Sequence, residues 1–208
     1  MNLVFAAVEP PLADAWEVFC GDLPFVTVHR GSIFDVECDA VVSPANSFGF
    51  MDGGIDLFYS QFFGWHVESR LKKIIRERHH GELIVGAAEI VKTDHAKIPY
   101  LIAAPTMRVP MILKDSVNPY LAARAALLLV KEYVFPDGTP IADVVKTIAF
   151  PGMGTGVGQV RPDVCARQMR VAIDAILLDK APHPVSWAIA EERHLAMQGL
   201  AFRDLQRP

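Results

Sequence analysis

Apolar positions along the chain switch repeatedly between strand-like and helix-like spacing. Leu3 to Val8 is an unbroken apolar run, the pattern of a strand buried on both faces. Pro10 and Pro11 then open a predicted helix that runs to about Phe19 and is closed by Gly21. Phe25 to His29 and Asp39 to Ser43 read as two further strands, the second fully apolar in its centre. A turn-rich stretch, Ser43 to Asp56, leads into a helical region through about His80. Ala88 to Thr93 and Tyr100 to Pro105 have strand character. Asn118-Pro119 places a capping residue before a proline at the first helical position. The predicted helix that follows, Tyr120 to about Tyr133, carries Ala and Leu almost all round and must be well buried. Beyond a loop at Pro136 to Pro140, Lys146 to Phe150 forms a last central strand. A glycine-rich turn, a helix from about Pro162 to Lys180, and a final helix from about Ser186 to Arg203 complete the chain.

Strands alternating with helices predict an α/β fold, with a mixed, largely parallel sheet of about six strands covered by helices on both faces. No repeat and no linker longer than a loop interrupts the pattern. The expectation is one domain over residues 1–208, with 183–208 as a helical extension packed on it. In such folds ligands bind beyond the carboxyl ends of the strands. That rule directs attention to the loops after residues 39–43 and 146–150.

Composition narrows the function. Half of the 208 residues are apolar (51%) and 21% are charged, which excludes a disordered or low-complexity chain. Twenty Lys and Arg against 24 Asp and Glu leave a formal charge of −4, arguing against a protein built to neutralise a nucleic-acid backbone. A small phosphorylated ligand remains possible, because main-chain N–H groups hold phosphate without net positive charge. Cys20, Cys38 and Cys165 are odd in number and widely spaced, which argues against a disulfide framework or a zinc site and for a reducing cytoplasm. The first residues lack a basic region and meet Pro10 and Pro11 early, unlike a secretory signal. No apolar run reaches the roughly 18 residues of a membrane span, so no membrane partner is expected.

The chemistry gathers in two loops. Pro151-Gly152-Met153-Gly154-Thr155-Gly156-Val157-Gly158 sets glycines at every second position directly after a buried strand. Inward-turned N–H groups there, with the N-terminus of the next helix, describe a diphosphate cradle made of backbone. A phosphate-binding loop of the Gly-x4-Gly-Lys type fails for want of the lysine, and the dinucleotide fingerprint fails on glycine spacing. A tight strand-to-helix turn is the plainer alternative. In the earlier loop, Asn46 offers a donor and an acceptor suited to a sugar hydroxyl pair, or closes an Asx-turn on its own backbone. Asp56 supplies a carboxylate near a helix start, or complements the helix dipole. Phe48, Phe50 and Met51 wall a pocket or pack inward as core.

In order and spacing these segments resemble the macrodomain family over roughly residues 25 to 180. Asp39-Ala40-Val41-Val42-Ser43-Pro44-Ala45-Asn46 is similar to the family's Asp-Ala-Ile-Val-Asn-Ala-Ala-Asn segment. Gly53-Gly54-Ile55-Asp56 is similar to its glycine run and Val-Asp, and Pro151 to Gly156 to its Pro-Ala-Leu-Gly-Thr-Gly loop. The resemblance implies a three-layer α/β/α sandwich that binds ADP-ribose, with no cofactor and no metal required. It implies that Asn46 contacts the distal ribose and Asp56 activates water, as the catalytic pair. Ala45 and the main chain at Gly53, Gly54, Ile55, Met153, Gly154, Thr155, Gly156, Val157 and Gly158 would hold the ligand, with Ser32 and Ile33 at adenine. It further implies ADP-ribose or an ADP-ribosylated macromolecule as partner. Hydrolysis of a mono-ADP-ribosyl group or of O-acetyl-ADP-ribose is then the leading activity, against a non-catalytic ADP-ribose module or a scaffold without ligand. Departures are Ser32 in place of an acidic residue, Ser43-Pro44 in place of Asn-Ala, two glycines before Ile55, and Gln159 where the last loop glycine is usual.

Overall fold

The computed structural model describes residues 1–200. The end of the expected last helix, with Phe202 and Arg203, and the polar tail lie outside the described residues. Six strands form one sheet in the order β2-β1-β6-β3-β5-β4. They are β1 (Asn2–Ala7), β2 (Val26–Arg30), β3 (Ala40–Ser43), β4 (Glu89–Lys92), β5 (Tyr100–Ala103) and β6 (Thr147–Phe150). All neighbours are parallel except β4, which pairs antiparallel with β5 in the register Ile90↔Ile102. Asp39 fixes the junction of β3 and β6 from below, its Oδ2 accepting from the main-chain N–H of Lys146 and Thr147, both at 2.8 Å.

The sheet is buried on both faces, as the apolar runs demand. One layer contains α1 (Pro10–Cys20), α4 (Asn118–Glu132), the short α5 (Ile141–Val144) and α6 (Pro162–Ile176), around Trp16, Phe5, Phe150, Leu127 and Met169. The other contains α2 (Gly54–Phe63) and α3 (His66–Arg78), around Tyr59, Leu71, Val41 and Leu101. The molecule is therefore a three-layer α/β/α sandwich. A last helix, α7 (Trp187–Met197), is held against α6.

All six expected strands, and the helices expected from Pro10 and from Tyr120, match in type with boundaries shifted by two residues at most. The helical region expected as one piece to His80 is two helices, broken at Gly64, whose φ of 101° no side-chain-bearing residue adopts readily. A 3-10 turn at Ile33–Asp35 and helix α5 lie in stretches to which the sequence pattern assigns no element. The helix expected to reach Lys180 stops at Ile176.

Candidate functional site

Parallel pairing of β3 with β6 and β5 brings three connections to one edge of the sheet: residues 44–53, 104–117 and 151–161. The middle one was not singled out in the sequence. Its 14 residues are long for a connection in this class, usually about two to six, and that length was the available signal. It continues the β3–β5 ladder past the strand ends. Ala104 N–H donates to Ser43 O at 3.0 Å, Thr106 N–H to Ala45 O at 3.2 Å, and Ser47 N–H to Arg108 O at 3.2 Å. The Thr106 hydroxyl donates to Pro44 O at 2.8 Å.

Asn46 lies on this extended ladder, and its amide is engaged with its own loop. Oδ1 accepts from the N–H of Phe48 and of Phe50 at 3.1 and 3.2 Å, and Nδ2 donates to Phe50 O at 2.8 Å. The Asx-type closure is thus present, and one Nδ2 hydrogen is left over. The three apolar residues of the loop part company. Met51 is fully buried in the core between its N–H bond to Glu68 Oε2 (2.7 Å) and its carbonyl bond from the Ser60 hydroxyl (2.8 Å). Phe48 and Phe50 stay at the surface under cations, Arg108 over the first ring at 5.0 Å and Lys72 over the second at 4.0 Å.

Asp56 occupies the first turn of α2 and is 7% exposed. Its Oδ1 accepts from the Ser43 hydroxyl at 2.5 Å. Burial pushes its carboxyl up to about 7, against the opposing pull of the Ser43 bond. Gly53 and Gly54, just before it, face open space where a side chain would stand. No described residue accepts from the N–H groups of Gly54, Ile55 and Asp56, in the first turn of the helix.

The glycine loop divides into a packed half and an open half. A Cβ on Gly152 would meet Leu12 and Thr155, one on Gly154 would meet Leu113 at 2.9 Å, and one on Gly158 would meet Gly154 O at 2.5 Å. These three glycines make room for the protein itself. Gly156 and Val157 are exposed, and nothing approaches Gly156. Carbonyls of Gly154, Gly156 and Gly158 accept from Val160, Gln159 and Leu113. The N–H groups of Gly154, Thr155, Gly156, Val157 and Gly158 have no acceptor among the described residues. Met153 is fully buried, and beneath the loop the Cys165 thiol donates to Met169 Sδ at 3.7 Å.

Elsewhere, the Ser32 hydroxyl caps the 3-10 turn by accepting from Phe34 N–H at 3.3 Å. Ile33 and Ala45 are buried, Ile33 within the core layer of α2 and α3. Ile55 packs partly against that same layer. A hollow of about 740 Å³ opens along the free edge of β4 between α3 and α4, and none of the residues above lines it. No group of His, Cys, Asp and Glu among the described residues has the arrangement of a metal site.

With this geometry in view, comparison with known proteins decides the family. The Macro domain family matches residues 42–169, more than half of the chain. The chain belongs to the macrodomain family. An uncharacterized protein of Aquifex aeolicus is 34% identical to this macrodomain over 144 residues, 69% of this chain and 78% of the relative. Among solved structures, the macrodomain of Mycobacterium tuberculosis DarG superposes with a TM-score of 0.56 at 17% identity, covering 70% of this chain and 87% of that one. An Oceanobacillus iheyensis macrodomain variant solved with ADPR also gives 0.56 at 17% identity, over 79% of this chain and 84% of that one. The fold of this macrodomain is thus the fold of those structures.

Proposed function

We propose that this macrodomain binds ADP-ribose across the edge formed by the 44–56 and 151–158 loops and hydrolyses an ADP-ribosyl linkage there. The observation that carries the reading is the coexistence of two sets of unoccupied main-chain N–H groups with a buried carboxyl beside one of them. The amides at Gly54–Asp56 and at Gly154–Gly158 suit a diphosphate, which they hold without a basic side chain. The macrodomain variant solved with ADPR supports the choice of ligand.

For hydrolysis, water adds to the ribosyl C1 carbon as the bond to the leaving group breaks and its electron pair departs with that group. Positive charge develops on the sugar, and an ionised Asp56 stabilises it and takes the proton that the water gives up. The proton is later returned to solvent or to the leaving group. A carboxyl titrating at about 7 accepts that proton readily at neutral pH. No metal enters this step. A leaving group on a protein side chain fits the overall charge of −4 better than one on a nucleic-acid strand.

Incubation with a mono-ADP-ribosylated protein tests the reading. Release of ADP-ribose by wild type and a loss of about 100-fold or more in Asp56→Asn is the expected result. A second reading, binding without turnover, is favoured by the commitment of the Asn46 amide to its own loop. Calorimetry separates them: tight binding of ADP-ribose with no release of product supports the module, and no binding at millimolar ligand removes both.

A further inference from the structure

The sequence places serine at position 43, where the resemblance leads one to expect asparagine. In the fold Ser43 is the last residue of β3, fully buried, and its hydroxyl reaches across to Asp56 thirteen positions later. That bond occupies Oδ1 alone; Oδ2 has no hydrogen-bond partner among the described residues. Among the described residues no charged group contests the carboxyl. From α2 the facing titratable group is Tyr59, whose hydroxyl donates to Val42 O at 3.0 Å and whose burial holds it neutral well above its ordinary range. Tyr59 in turn neighbours Cys38, a thiol that burial pushes up to about 12. The nearby Glu68 of α3 is turned to Met51 N–H and Lys72. Among the described residues Ser43 alone donates a hydrogen bond to the carboxyl.

We infer that Ser43 is a positioning residue of this site, whose hydroxyl clamps one oxygen of Asp56 and leaves the other as the proton acceptor. The inference rests on the reading of Asp56 as the base of the reaction. A carboxylate held by one donor has a fixed plane and a single available basic oxygen, so water bound at the site meets the same acceptor geometry each time. The donor also favours the ionised form that the reaction needs, against a burial that favours the proton. Serine achieves this with a short side chain rooted in a central strand, the most rigid support the fold offers.

The test compares wild type with Ser43→Ala and with Ser43→Cys, which keeps the volume of the side chain and donates poorly. Titration of the Asp56 carboxyl by carbon NMR reads the clamp without any turnover. Release of ADP-ribose from a mono-ADP-ribosylated protein, followed from pH 5.5 to 9, reads its use. Both variants are expected to titrate at higher pH than wild type. Their release rates fall roughly tenfold at pH 6 and approach wild type at pH 9, with KM unchanged. If Ser43→Ala lacks a native melting transition, Ser43→Cys carries the comparison. An unchanged Asp56 midpoint in the folded variants overturns the inference, as does a rate loss that is equal at every pH. A shifted midpoint with no release by any of the proteins at any pH leaves the clamp standing and removes the hydrolytic reading instead.

Discussion

In the unfolded chain Asp56 titrates near its ordinary 3.8, and in the folded protein near 7. Between those values the native state keeps a proton that the unfolded state has lost. The stability linked to this group is therefore complete below about pH 4 and declines as pH rises through 7, by an amount on the order of 4 kcal/mol. Asp56→Asn keeps the shape and removes the titration. Its melting temperature is expected to fall less between pH 5 and pH 8.5 than that of wild type, and identical profiles would show that the carboxyl is not desolvated as described. Some of this residue's setting was legible in the sequence. Its place in a first helical turn follows from Gly53-Gly54 before it, whereas its tie to Ser43 is a tertiary contact that no local pattern announces. Asn46 is the reverse case. Both of its roles could be named from the letters, and the fold displays the local one, since an Asx closure needs only its own four neighbours.

At the scale of elements, the strands were readable because burial on both faces writes continuous apolar runs. The direction of β4 was not, because an apolar run looks the same whichever way it is traversed. The break between α2 and α3 depended on a single φ, at Gly64, inside an otherwise helical pattern. The glycine loop shows how far spacing alone can take an argument. Four alternate glycines look equivalent by spacing, yet of these four only Gly156 faces free space. Gly156→Val is expected to leave melting unchanged and to weaken ADP-ribose binding at least tenfold in calorimetry. Gly154→Val is expected to destabilise the protein by about 2 kcal/mol or more, because φ is 73° and Leu113 stands 2.9 Å from the added carbon. Equal effects of the two substitutions on melting would refute that division. One residue further, Gln159 adopts φ 54° where the family resemblance leads one to expect glycine. Gln159→Gly should raise stability by about 1 kcal/mol in a denaturant titration, by relieving a left-handed side chain.

Over the whole molecule, the alternation of strand and helix patterns was enough to indicate a covered, mostly parallel sheet, and the order of its strands then decided which loops meet. The 104–117 connection joins the site through β5, a neighbour of β3 in space and distant from it along the chain. No helix among the described residues is long and apolar enough to cross a membrane. The hollow of about 740 Å³ lies along the β4 edge and is not lined by the amide-bearing loops, so volume and chemistry point to different places in this fold. Chemistry has the stronger claim, because a diphosphate asks for converging donors before it asks for depth.

The three cysteines are all buried, and burial raises each thiol to about 12, leaving almost no thiolate at neutral pH. Cys20 and Cys165 belong to the core layer of α1, α4 and α6, and Cys38 to the layer of α2 and α3. Each side of the sheet thus contains its own chemical clock. Alkylation followed by mass spectrometry would time the opening of the two halves separately, and a Cys38 label that appears ahead of the other two would identify the α2–α3 side as the first to come apart.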